Sequence, residues 1–306
     1  MSRNDECEMM KEELPDPAGP TAGATSTDAP SSSLVIGHSS FLCLLFDPPA
    51  PGAWNMAVDE ALLESAAADG QCTLRFYRWA EPTLSLGYFQ TFSDRWHHEA
   101  SRKAVMVRRA SGGGAILHDL ELTYSFAVPD SHPLAADRLG FYNAVHGALI
   151  EALATWGIEA TVFSEAKRPS PPTATTSWCP PQASDGSRPA RQPFLCFQRR
   201  SPGDVLVGDV KIAGSAQRRC RGAVLQHGSV LLARSIAAPE LDGIKELVDK
   251  IMEPQPLAEA WLAQLGRVLP LQWQEGGLSD EQRRRAAVLA CDKYGSSAWN
   301  EHRGRG

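Results

Sequence analysis

Residues 108–114, Arg-Arg-Ala-Ser-Gly-Gly-Gly, set two fixed positive charges beside three successive residues that lack side chains. Glycine tolerates positive φ and lets other groups approach the backbone closely. The amides of Gly112, Gly113 and Gly114 could therefore gather round an anionic oxygen or a polarised carbonyl. The spacing does not fit a P-loop, which ends in Gly-Lys-Ser/Thr, or a dinucleotide fingerprint, whose glycines open a helix. Here Ala-Ile-Leu-His-Asp follows, a strand-like run. Taken alone, three glycines read as readily as a flexible turn.

Two further stretches carry reactive side chains. Lys211 follows Gly208-Asp209, a two-residue hairpin signal between apolar runs. A strand lysine is commonly a solvated edge residue; beside a buried acyl group it would bind phosphate or carboxylate, or stabilise a thiolate. His227 and Gly228 sit in Leu-Gln-His-Gly-Ser-Val, where the histidine alone reads as a satisfied core residue. His118 and Asp119 are adjacent, but consecutive strand residues point to opposite faces, so they form no dyad with each other. His118 is assigned to the architecture of the site. His97 and His98 have no third ligand at useful spacing, and no metal site is expected.

These residues need rigid elements to position them. Strand-like runs occupy 73–79, 83–89, 104–109 and 122–128, the last alternating large and small residues with the period of a half-buried strand. A further strand covers residues 222–233. Residues 54–65 read as a helix capped by Asn55. An amphipathic helix covers 141–157, with Phe141, Val145, Leu149, Ala152 and Trp156 on one stripe and Gly157 at its end. Ser279 and Gln282 make a capping box opening a later helix, and the chain from about 239 reads as mainly helical. The class implied is α+β, a mainly antiparallel sheet flanked by helices. Residues 1–37 are rich in Pro, Ser, Thr and acid and are expected to be disordered, as is a Pro/Ser-rich insert at 165–193.

The chain has 306 residues and a net charge of −6, which excludes nucleic-acid binding by bulk attraction. No apolar run of about 18 residues occurs, and the charged N-terminus lacks a signal-peptide core. No membrane association is expected. Seven cysteines without a C-x-x-C pair suggest reduced thiols and a cytoplasmic protein.

Six stretches occur in the order of one known family: NMAVDEALL, LRFYRWAEPTLSLGYFQ, VRRASGGGAILHDLELTYS, KIAGSAQRR, LQHGSVLL and KYGSSAWN. Over about residues 41–300, outside the insert, the chain resembles the lipoate–protein ligase A and octanoyltransferase family, related in fold to the biotin–protein ligase catalytic domain. The resemblance implies a fatty-acyl site lined by Arg108, Arg109, Ser111, Gly112, Gly113 and Gly114, with His118 beside them. It adds Gly214, Ser215, Ala216, His227 and Gly228 from the later strands. It makes Lys211 the catalytic lysine. The Cys-Phe pair ahead of the lysine hairpin resembles the cysteine-dependent octanoyltransferase branch, which makes Cys196 the nucleophile. Cys220, flanked by Arg218, Arg219 and Arg221, is the rival on local charge alone.

That branch implies octanoyl (or lipoyl) transfer from acyl carrier protein, through a cysteine thioester, to a lysine of a lipoyl-domain protein. Such acceptors are the glycine cleavage H protein and 2-oxoacid dehydrogenase E2 subunits; no cofactor is needed. The loop Ser-Gly-Gly-Gly is closer to the ligase version, and an ATP-dependent lipoate ligase would need ATP and Mg. A catalytically silent module that binds lipoyl domains is the third reading. Basic clusters at Arg108-Arg109, Arg199-Arg200 and Arg218-Arg219-Arg221 could steer acidic carriers.

Overall fold

The computed structural model describes residues 41–164, 193–269 and 272–304. The expected disordered head, and all of the expected insert except residue 193, lie outside them.

Among the described residues, eleven strands run in chain order: β1 (Phe41–Phe46), β2 (Thr73–Tyr77), β3 (Thr83–Leu86), β4 (Val105–Arg108), β5 (Ile116–His118), β6 (Glu121–Pro129), β7 (Ala160–Val162), β8 (Val205–Val207), β9 (Val210–Cys220), β10 (Ala223–Leu231) and β11 (Gln272–Glu275). The longer helices are α1 (Gly52–Asp69), α2 (Arg138–Ala154), α3 (Pro254–Val268), α4 (Asp280–Leu289) and α5 (Ser297–His302). The main sheet has the order β11-β1-β2-β6-β10-β9-β8-β7, and a second sheet the order β4-β3-β5. Only the β1–β11, β1–β2 and β3–β4 pairs are parallel. The mainly antiparallel α+β reading holds.

Both faces of the main sheet are covered. On one, Leu74, Phe76, Tyr124 and Phe126 pack against Phe141, Val145 and Leu149 of α2 and Trp261 and Leu265 of α3. On the other, Tyr77, Ala127 and Leu225 pack against Val58 and Leu62 of α1 and Ala286 and Leu289 of α4. Each of the buried Leu, Val and Phe side chains among these contributes roughly 1.5–3 kcal/mol. A third cluster joins Leu84, Leu86 and Leu117 of the small sheet to Leu195, Phe197 and Leu231.

Local chemistry explains the boundaries. Gly208, at φ 57°, turns β8 into β9 as its Gly-Asp pair implies. The Ser279–Gln282 capping box opens α4. The strand expected over 83–89 stops at Leu86, because the amide of Gly87 donates to Gln90 Oε1 at 2.9 Å and the chain turns there. Asn55 does not cap α1, which starts at Gly52 after Pro51. It lies inside the helix, donating to the carbonyls of Ala50 and Arg78 and accepting from Arg75. Edge strand β11 was not foreseen; its Gln-Trp-Gln-Glu has one apolar residue and no strand period. Cys43, Cys72, Cys196 and Cys220 are free thiols. Cys291 is disulfide-bonded, which departs from the expectation that every thiol is reduced.

Candidate active site

The glycine loop is held from within by Arg109. Its guanidinium donates to the carbonyls of Gly112 (2.8 Å), Gly114 (2.6 Å) and Ser85 (3.0 Å). Gly113 has φ 98°, where a side chain would be strained. The loop's carbonyls are thus turned toward Arg109. Among the described residues, the amides of Gly112, Gly113 and Gly114 donate to no protein acceptor. Burial pushes Arg109 down to about 10, with the positive Arg199 and Arg108 adding to the effect and the charge of Cys196 opposing it.

The sulfur of Cys196 is brought to this loop by main-chain pairing. The amide of Ala115 donates to Phe194 O at 3.2 Å, and the amide of Cys196 donates to Ala115 O at 2.7 Å. Leu195 and Phe197 are buried on either side, leaving Cys196 half-buried between them. Gly114 makes the approach feasible: a Cβ there would lie 3.3 Å from Cys196 Cα and would overlap the Arg199 guanidinium. From β9, Lys211 brings Nζ to 3.8 Å from Cys196 Sγ. The same nitrogen pairs with Asp204 at 2.9 Å and lies 5.2 Å from the centre of the Phe197 ring.

A cavity of about 510 Å³, including its open mouth, lies between these parts. Arg109, Gly112 and Gly113 border it on one side, Cys196, Phe197 and Lys211 on another. Gly214, Ser215 and Ala216 of β9, His227 and Gly228 of β10, and His118 complete much of the wall. The neighbouring carbons of Met56, Tyr77 and Ile116 make it predominantly apolar.

Three hydrogen-bonded histidines stiffen that wall. His227 Nε2 meets Ser111 Oγ at 2.5 Å, and its Nδ1 meets Asp59 at 3.2 Å. Burial would raise the Asp59 carboxyl, but the His227 hydrogen bond and the charge of Arg75 outweigh it, and Asp59 lies below the usual carboxylate range. His118 joins Ser85 (2.8 Å) to Glu121 (2.6 Å) and stacks on Trp79 with ring centres 3.9 Å apart. His146 of α2 places Nδ1 2.6 Å from Gly203 O and Nε2 2.6 Å from Ser215 Oγ. A carbonyl can only accept, so Nδ1 carries the proton and the Ser215 hydroxyl donates to Nε2. Burial lowers His146 to about 4 and keeps it neutral.

Most of the residues named from the sequence therefore meet round one cavity, and three do not line it. Arg108 points away: it is fully buried and donates to the carbonyls of Asn300 (3.0 Å), Gly87 (3.0 Å) and Gln90 (2.7 Å), tying the C-terminal helix to the loop after β3. Gly114 sits behind, against Cys196 and Arg199, and Ser111 faces a smaller adjoining cavity with Asp59 and Met56. Arg108 and Arg109, being buried, cannot form part of a basic surface. Cys220 ends β9 and does not border the cavity; nine residues of strand put it roughly 30 Å from Lys211. Asp59, Asp204, His146 and Tyr124 were missed. Only Asp204, in Ser-Pro-Gly-Asp just ahead of the lysine hairpin, left a trace in the sequence, as a turn of definite type.

Among the described residues, no helix is long and apolar enough to cross a membrane. Known proteins share these features. An octanoyltransferase LipM of Anoxybacillus flavithermus is 31% identical over 276 residues, covering 81% of this chain and 93% of its own. That of Geobacillus kaustophilus is 32% identical over 278 residues, covering 82% and 94%. In structure, the chain is similar to a bi-partite lipoate protein ligase from Thermoplasma acidophilum, with TM-score 0.62, 20% identity and coverage of 85% and 96%. It is likewise similar to a lipoate-protein ligase A bound with ATP, with TM-score 0.63, 22% identity and coverage of 85% and 98%. The lipoyl protein ligase A/B catalytic domain model matches residues 51–254, and the chain belongs to that family.

Proposed function

We propose that this protein is an octanoyltransferase that takes an octanoyl (or lipoyl) group from acyl carrier protein onto Cys196 and passes it to a lysine of a lipoyl-domain protein. The observation that carries this reading is the sulfur of Cys196, 3.8 Å from the Lys211 amine at the wall of a largely apolar cavity. The LipM names of the relatives support it, and a ligase that activates its acid with ATP needs no such thiol.

The chemistry follows from the parts. An ammonium beside the sulfur stabilises negative charge on it, and a thiolate attacks a thioester carbonyl readily. A bond forms from Sγ to the acyl carbon, the carrier's C–S bond breaks, and the carrier leaves with the proton that Cys196 gave up. The acyl oxygen becomes negative in between, and the amides of Gly112 and Gly113, which have no protein acceptor among the described residues, supply donors for it. In the second half, the acceptor lysine's amine attacks the same carbon, the Cys196 C–S bond breaks, and the amine's proton returns to the sulfur. Lys211 faces the sulfur in both halves and serves as the site through which that proton passes. Acceptors of the H-protein or E2 type are expected, with neither ATP nor Mg required.

Incubation with octanoyl carrier protein, followed by intact and peptide mass spectrometry, tests this. The expected result is one octanoyl adduct on Cys196, lost in Cys196→Ser. Lipoylation that requires ATP and survives Cys196→Ser would mean a ligase. Binding of a lipoyl domain with no turnover from either donor would mean a silent binding module.

A further inference from the structure

Among the described residues, Lys211 is a buried cation with one carboxylate against it, and the surroundings are built around that pair. Asp204 Oδ2 lies 2.9 Å from Nζ and also accepts the Ser201 amide at 2.7 Å. The backbone of Asp204 is fixed at both ends, its amide donating to Ser201 O at 3.0 Å and its carbonyl accepting from Phe163 at 2.7 Å. Gly214 leaves the room: a Cβ there would sit 2.6 Å from Lys211 Cε, 2.8 Å from Nζ and 3.0 Å from Asp204 Oδ1. Lys211 and Asp204 side chains are only 4% and 8% exposed, so water contributes little to holding either charge.

We propose that Asp204 is a positioning residue for acyl transfer: its carboxylate aims the Lys211 amine at Cys196 Sγ and keeps it an ammonium, so that carboxylate, ammonium and sulfur act as one unit. The proposal rests on Cys196 being the nucleophile. A buried lysine without a counter-charge sheds its proton, and a neutral amine would leave the sulfur without its stabilising charge. Among the described residues, the other groups facing this unit cannot replace Asp204. Arg109 and Arg199 are cations, the Phe197 ring offers only its π-face, and His146 on α2 is held neutral by burial. Tyr142, also on α2, is pushed by burial away from ionising. Asp204 itself is raised by burial, with the charge and hydrogen bond of Lys211 opposing the rise.

The test is the pH dependence of Cys196 alkylation by iodoacetamide, read by peptide mass spectrometry on the full chain. Asp204→Asn keeps the shape and removes the charge. It should slow alkylation at neutral pH by about tenfold and move the half-rate pH upward toward that of Lys211→Met. Alkylation of Asp204→Asn with the wild-type profile would overturn the proposal. Should that variant fail to fold, Asp204→Asn/Lys211→Met, which removes both buried charges, is compared with Lys211→Met alone. Identical profiles support an action of Asp204 through Lys211, and different ones overturn it. In parallel, Asp204→Asn should slow octanoyl adduct formation with Cys196 still the modified residue. An adduct on another residue in the wild type would remove the nucleophile reading while the alkylation comparison still decides the coupling.

Discussion

Gly87→Ala probes the glycine loop without replacing any residue that lines the cavity. Gly87 lies just past β3, and a Cβ there would be 2.1 Å from the carbonyl oxygen of Gly113, 3.0 Å from its carbon and 3.2 Å from Arg109 Nη2. The oxygen belongs to the backbone, and the carbonyls on either side of it are held by Arg109, so it cannot swing aside as a side chain would. The loop must retreat on the order of 1 Å, and a displacement of that size at reacting groups costs about 100-fold in rate. The overpacking itself costs about 1–3 kcal/mol of stability. Octanoyl adduct formation on Cys196, timed by quenched mass spectrometry, should therefore slow about 100-fold, and the melting temperature should drop by a few degrees. Gly112→Ala is the contrast: its nearest neighbour would be Phe89 at 3.7 Å, an ordinary contact, so the loop stays in place. Full-rate acylation by a folded Gly87→Ala chain would refute the idea that the loop amides receive the acyl oxygen.

Other perturbations separate stability from chemistry. Arg108→Lys loses the fork that spans Asn300, Gly87 and Gln90, and should cost about 2–4 kcal/mol in urea unfolding, with faster hydrogen exchange over 297–302. Gly147→Ala, in α2 with nothing within 4 Å of the new methyl, should stabilise by about 0.5–1 kcal/mol and leave transfer unchanged. His146 titrates near 4 when folded against an ordinary value of 6.5. The unfolded chain therefore binds the extra proton across that window. Stability is fully present above about pH 6.5 and falls as pH drops toward 4, by on the order of 3 kcal/mol in all. Chemical unfolding at pH 7 and 4.5 should show the fall in the wild type and a flatter profile in His146→Gln; equal slopes would exclude His146 as its source.

The elements were legible where period and turn chemistry agree, as in β6, in the Gly208-Asp209 hairpin and in the capped α4. The cavity wall was legible only through several stretches read in order, because a lone glycine triplet, lysine or histidine has a commonplace alternative. What stayed hidden is what three-dimensional pairing creates. Arg108 and Arg109 are neighbours in sequence, yet strand alternation sends one to the C-terminal helix and the other under the loop. Asp59 meets His227 across 168 positions, and His146 meets Ser215 across 69, so no local pattern announces either contact. The opposite error was Cys220, whose arginine neighbours in sequence say nothing about reach in space.

The strands that flank residues 165–192 also set how the enzyme can vary. On the near side Phe163 exchanges main-chain bonds with Asp204 and Gly203; on the far side Phe194 and Cys196 clip onto Ala115. Phe163 on one side, and Phe194 and Cys196 on the other, are thus each fastened to the scaffold by main-chain hydrogen bonds. Because these bonds use the main chain alone, the side chain at Phe194 can change and the sulfur should still arrive at the same place beside the lysine.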